Sequence, residues 1–99
     1  MQADDFDYAV AQARLRHKAA RASLTDDIRS HSASATPDEA LQLAIRSIEL
    51  NVASLSFAAR IWAKSIAQEK ALAALRAQFH EFPEAVVDRA LYEATVETR

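Results

Sequence analysis

Three histidines, His17, His31 and His80, are the side chains of this sequence that could act as acid, base or metal ligand near neutral pH. They lie far apart in the chain and on three different predicted elements. None belongs to a His-Glu-x-x-His or Glu-x-x-His pair of the kind that holds metal ions on helices. We therefore expect no metal site.

The absence of glycine and cysteine narrows the chemistry further. A P-loop, a dinucleotide-binding fingerprint and a nucleophile elbow each need the close backbone approach or sharp turn that glycine permits. Without cysteine there is no disulfide and no thiol chemistry, which fits a reducing compartment. We expect a protein that is not an enzyme, with no cofactor and no small-molecule substrate.

A basic run near the N-terminus is the one feature that suggests nucleic-acid binding. Lysine and arginine side chains neutralise phosphates, so the run supports an alternative function, a small helical DNA-binding transcriptional regulator. A formal net charge of −2 gives no overall attraction to nucleic acid, and no compact helix-turn-helix signature is present. A solvated helix face is therefore the favoured interpretation. The four residues of the run are Arg14, Arg16, Lys18 and Arg21.

Length and composition indicate one all-α domain over residues 1–99. Good helix formers dominate, glycine is absent and only two prolines occur. We predict a small helical bundle built on a long antiparallel helical hairpin, followed by two shorter C-terminal helices. The expected helices cover residues 4–31, 36–65, 67–79 and 84–97.

The start of the second predicted helix is the clearest local signal. Thr36 can cap it, Pro37 suits its first position, and Glu39 completes a capping box with Thr36. Ser65 and Gln68 have the same spacing as a second capping box, so we expect a break or kink near 64–68.

Apolar residues inside this helix recur with spacings of four and three, as in a coiled-coil or bundle contact. We name this set the seam and expect it to face the helical core, Trp62 included. The seam consists of Leu41, Ile45, Ile48, Val52, Leu55, Ala59, Trp62 and Ile66.

A second stripe, Leu43, Leu50 and Phe57, recurs every seven residues, roughly 140° around the helix from the seam. A helix that is apolar on two faces is either buried between neighbours or shared with another chain. The second stripe is accordingly our candidate partner-binding surface. The alternative is that the C-terminal helices of the same chain cover it.

The sequence therefore favours a non-enzymatic protein-binding module: a small adaptor, inhibitor or chaperone-like protein, acting through the apolar faces of the central helix. A homodimer is the expected assembly. The N-terminal residues are acidic, unlike a signal peptide, and the longest uncharged run, 50–59, is too short to cross a bilayer. We expect a cytoplasmic protein with no membrane association.

Overall fold

The computed structural model of the chain describes residues 2–15 and 21–98, without the side chain of Arg21. All regular structure within these ranges is helical, which confirms the all-α prediction. The chain divides into two units, Met1–Glu49 and Leu50–Arg99. The helices are α1 (Ala3–Leu15), α2 (Arg21–His31), α3 (Pro37–Trp62), α4 (Gln68–Gln78) and α5 (Glu84–Glu97).

In the first unit, α1 and α2 pack against each other. The rings of Tyr8 and His31 stack with centroids 3.9 Å apart, and the Ser32 hydroxyl donates to Asp5 Oδ2 over 3.4 Å. A single helix over 4–31 would hold Tyr8 and His31 about 35 Å apart, so the prediction of one helix there is wrong. Instead, α2 lies back along α1. Their buried apolar side chains are Ala9, Val10, Ala13, Leu24 and Ile28.

The start of α3 has the predicted capping box. The Glu39 amide donates to Thr36 Oγ1 over 3.1 Å, and the Thr36 amide donates to Glu39 Oε1 over 3.0 Å. The Thr36 backbone amide, and to a smaller degree the Thr36 side chain, hydrogen-bond the Glu39 carboxylate, which favours its ionised form and lowers the pKa of Glu39 below its ordinary value. The cap therefore fixes the first residue of the long helix.

α3 ends at Trp62, two residues before the predicted break near 64–68, and the cause differs from the predicted one. Lys64 adopts a left-handed conformation with φ of 59°. The amide of Ser65 donates to the Arg60 carbonyl and that of Lys64 to the Ile61 carbonyl, the two hydrogen bonds of a Schellman C-cap. This C-cap, with Lys64 in the left-handed conformation, terminates α3. The predicted capping box of Ser65 with Gln68 is wrong, since the N-cap of α4 is Ala67 and makes no side-chain hydrogen bond.

The second unit contains α4 and α5, which pack against each other. Arg76 donates to both oxygens of Asp88, over 3.0 and 2.7 Å, and this carboxylate raises the pKa of Arg76 above its ordinary value. In the connection, the rings of Phe79 and Phe82 meet edge to face, 6.2 Å between centroids. α5 has the predicted bounds. The buried apolar side chains here include Leu75, Phe79, Phe82, Val86, Val87, Ala90, Leu91 and Ala94.

Candidate protein-binding surface

The buried face of α3 is built mainly from small residues. Ala44, Ser47, Ser54 and Ala58 are fully buried. Their spacings of three, seven and four residues place them on one side of the helix. Side chains this small let a neighbouring backbone approach closely, and they make this side of α3 the core side.

The second stripe lies on the same buried side. Leu50 is 0% exposed, Leu43 is 4% exposed and Phe57 is half-buried. Leu43 and Leu50 therefore cannot meet a partner while the chain stays folded as described. This burial fits the alternative in which the chain itself covers the stripe, and it moves the candidate surface to another face of α3.

The seam occupies that other face. Val52 is 63% exposed, Trp62 51%, Leu41 39% and Leu55 37%. Ile45 and Ile48 are half-buried, Ala59 is exposed, and Ile66 lies beyond the end of α3. The expectation that the seam faces the core, with Trp62 inside it, is wrong.

The exposed seam residues form an apolar ridge on one side of α3. Large apolar side chains this exposed are unfavourable in water, and a contiguous row of them marks an interaction surface. The seam is therefore the candidate site of this chain.

Trp62 is held in place at one end of the seam. Its indole Nε1 donates to the Thr95 carbonyl on α5 over 3.1 Å, while half of the residue remains exposed. On the same helix, Tyr92 and Val96 are also exposed. A large aromatic ring with a fixed orientation loses little conformational entropy on binding, which makes Trp62 a suited anchor for a partner.

Polar residues follow one flank of the seam. Gln42, Glu49 and Ser56 are exposed and recur every seven residues. Arg46 Nη1 lies 3.2 Å from Glu49 Oε2, and the Arg60 guanidinium lies 5.2 Å from the centroid of Phe57. A ridge with an apolar row beside a polar row has the usual composition of a protein interface with a rim.

The basic run falls mostly outside what the structure describes. Arg16 and Lys18 lie outside the described residues, and so does the side chain of Arg21. Arg14, in the last turn of α1, is half-buried. No nucleic-acid surface can be assembled from the one remaining side chain.

An acidic and aromatic cluster surrounds His31, and the sequence analysis missed it. His31 Nε2 lies 3.4 Å from Asp4 Oδ2 and 3.7 Å from Asp5 Oδ1, with the Tyr8 ring stacked on the imidazole. Asp5 also accepts hydrogen bonds from the Gln2 amide and Ser32. The cluster forms only because α2 folds back on α1. Among the described residues, no group of histidine and acidic side chains could hold a metal ion.

An open depression of about 400 Å³ lies in the first unit. Small-molecule sites are enclosed and mainly apolar, with a few directed polar groups. The depression is shallow and mostly polar, so it has neither property. Its lining residues are Asp26, Arg29, Ser30, Ala33 and Ala35.

Comparison with protein-family models, with curated proteins and with solved structures found no match to this chain. None of the helices in the described ranges is long and apolar enough to cross a membrane.

Proposed function

We propose that this chain is a non-enzymatic protein-binding module that acts through the exposed seam of α3. Its role would be that of a small adaptor, inhibitor or chaperone-like protein. The observation that carries the proposal is the exposure of Leu41, Val52, Leu55 and Trp62 in one row on a capped helix.

A macromolecular partner suits this surface better than a small ligand. Small molecules bind in concave sites that cover most of their surface, whereas the seam is a convex ridge. A partner with an apolar groove or a helix of matching periodicity could cover the ridge along its length.

The energy available is sufficient for specific binding. Complete burial of a large apolar side chain contributes about 1.5–3 kcal/mol, and the exposed part of each seam residue supplies a share of that amount. Trp62 should contribute a large share, since tryptophan is enriched among the residues that dominate binding energy. Ordering of the partner and lost translational freedom offset part of the gain.

Affinity capture from the native cells tests the proposal, with nuclease present and the captured proteins identified by mass spectrometry. Val52→Glu places a charge in the seam at its most exposed large residue and should not disturb the core. Ala74→Glu is the matched control, because Ala74 is exposed on a different helix, α4.

The tagged parent chain and Ala74→Glu should each capture a protein partner in stoichiometric amount. That partner is either a different protein or an untagged copy of the chain itself. Val52→Glu should capture neither. Capture that is equal for all three proteins would contradict the proposal. A partner set that disappears with nuclease would support the DNA-binding alternative instead.

A further inference from the structure

We propose that the partner of the seam is a second copy of this chain, with the two α3 helices packed side by side and antiparallel. This inference rests on the proposed function and names the occupant of the same surface.

The spacing of the seam indicates that a helix covers it. Residues that alternate by four and three form knobs and holes that fit another helix with the same repeat. α3 of a second copy has that repeat by identity. In heptad terms, Ile45, Val52 and Ala59 occupy a, while Leu41, Ile48, Leu55 and Trp62 occupy d.

Charge at the two ends of α3 selects the antiparallel direction. The first turn contains Asp38 and Glu39, and the last turn contains Arg60, with Lys64 just beyond it. Parallel packing would place acidic turn beside acidic turn and basic turn beside basic turn. Antiparallel packing pairs opposite charges at both ends, and it also aligns the helix dipoles favourably.

Side-chain size along the seam points the same way. Toward the C-terminal end of α3, small Ala59 is followed by large Trp62. In a parallel, in-register pair, Ala59 would face Ala59 and leave a gap, and Trp62 would face Trp62. In an antiparallel pair, Ala59 and Trp62 of one copy lie opposite Leu41 and Ile45 of the other. A small residue then faces a large one, and the gap at Ala59 is filled.

Sedimentation velocity of the purified chain tests whether a second copy covers the seam. The parent and Ala74→Glu should sediment as dimers that dissociate on dilution, whereas Val52→Glu should sediment as a monomer with unchanged helical circular dichroism. Leu55→Gln provides a second seam variant if Val52→Glu loses its helical signal.

A parent chain that stays monomeric at its highest soluble concentration would overturn the second-copy proposal. The proposed function would still stand if the parent, but not Val52→Glu, captured a different protein. Dimers that persist in both seam variants would also overturn the inference, because the contact would then use another surface.

Spin labels test the direction. The chain has no native cysteine, so Gln42→Cys and Ser56→Cys each provide one label, both on the exposed flank of α3. With the two-fold axis near residue 52, the Gln42 labels should be roughly 30 Å apart along the helix and the Ser56 labels roughly 12 Å apart. Equal distances at the two positions would overturn the antiparallel arrangement.

Discussion

The two faces of α3 differ in the size of their side chains as well as in their exposure. The buried face combines small residues such as Ala44 and Ser54 with two leucines, Leu43 and Leu50. The exposed face carries Val52 and the other large seam residues. Close helix packing needs small side chains at the contact, so the more hydrophobic face of a helix is not necessarily its core face. Here the larger apolar side chains lie on the exposed face.

The largest difference in stability between the two faces should appear when one aliphatic side chain is removed from each. Leu50→Ala should lower the free energy of unfolding by about 2–5 kcal/mol, because Leu50 is fully buried. Val52→Ala should change it by no more than about 0.5 kcal/mol. Urea unfolding of dilute, monomeric samples measures both. A greater loss at Val52 than at Leu50 would reverse the assignment of the faces.

Enlarging one alanine on each face gives the next largest effect. Ala44→Leu should cost about 1–3 kcal/mol, because Ala44 is fully buried against its neighbours. Ala59→Leu, on the exposed face, should cost nothing measurable in the monomer. Thermal and urea unfolding of the pair provide the comparison. Equal tolerance of leucine at both positions would show that the buried face is not closely packed.

Local signals in the sequence predicted much of this fold. Thr36 and Glu39 located the start of α3, because a capping box depends on residues only three apart. α5 was predicted with its observed bounds from the proline and charge pattern at its start. Such features depend mainly on residues within one turn of helix, although the same spacing at Ser65 and Gln68 did not form a cap.

Features that depend on distant contacts were not predictable in the same way. The return of α2 along α1 is marked by the contacts of Tyr8 with His31 and of Asp5 with Ser32, residues more than 20 positions apart. The core face of α3 was predicted wrongly because the seam has the larger and more regular apolar residues. Burial of Ala44 and Ser54 follows from how closely neighbours approach, which periodicity does not report.

A substitution in the N-terminal cap of α3 should change the stability of the fold without changing self-association. The cap stabilises the helix as a whole and is not part of the seam. Thr36→Ala should lower stability by about 1 kcal/mol and leave self-association of the folded chain unchanged. Loss of association in folded Thr36→Ala would mean that the seam requires more than an intact central helix. Urea unfolding and sedimentation measure the two properties.

The same cap gives a pH dependence of definite sign. The pKa of Glu39 is lowered in the folded chain from its ordinary value of 4.5. Its stabilising effect is therefore present above pH 4.5 and is lost as the pH falls through the lowered value. Glu39→Gln should make acid unfolding less steep in this range, and Thr36→Ala, which keeps the backbone amide that donates to Glu39, should do so to a smaller degree. An unchanged acid profile in both variants would contradict the capping role.

The smallest effect concerns the residue that ends α3 and separates Ile66 from the rest of the seam. Lys64→Gly should raise stability by about 0.5–1 kcal/mol, because glycine adopts the left-handed conformation without the steric cost that lysine bears. Lys64→Ala is the control and should give no such gain. Equal stability of the glycine and alanine variants, measured by thermal unfolding, would argue against a strained C-cap.

Fluorescence of Trp62, the one tryptophan of the chain, tests the central claim most directly, that the seam faces outward in the monomer and is covered on association. In dilute folded samples we expect long-wavelength emission that acrylamide quenches readily. Emission should move to shorter wavelength as the protein concentration rises, but not in Val52→Glu. Short-wavelength emission that resists quenching in the dilute monomer would place the seam in the core and contradict the claim.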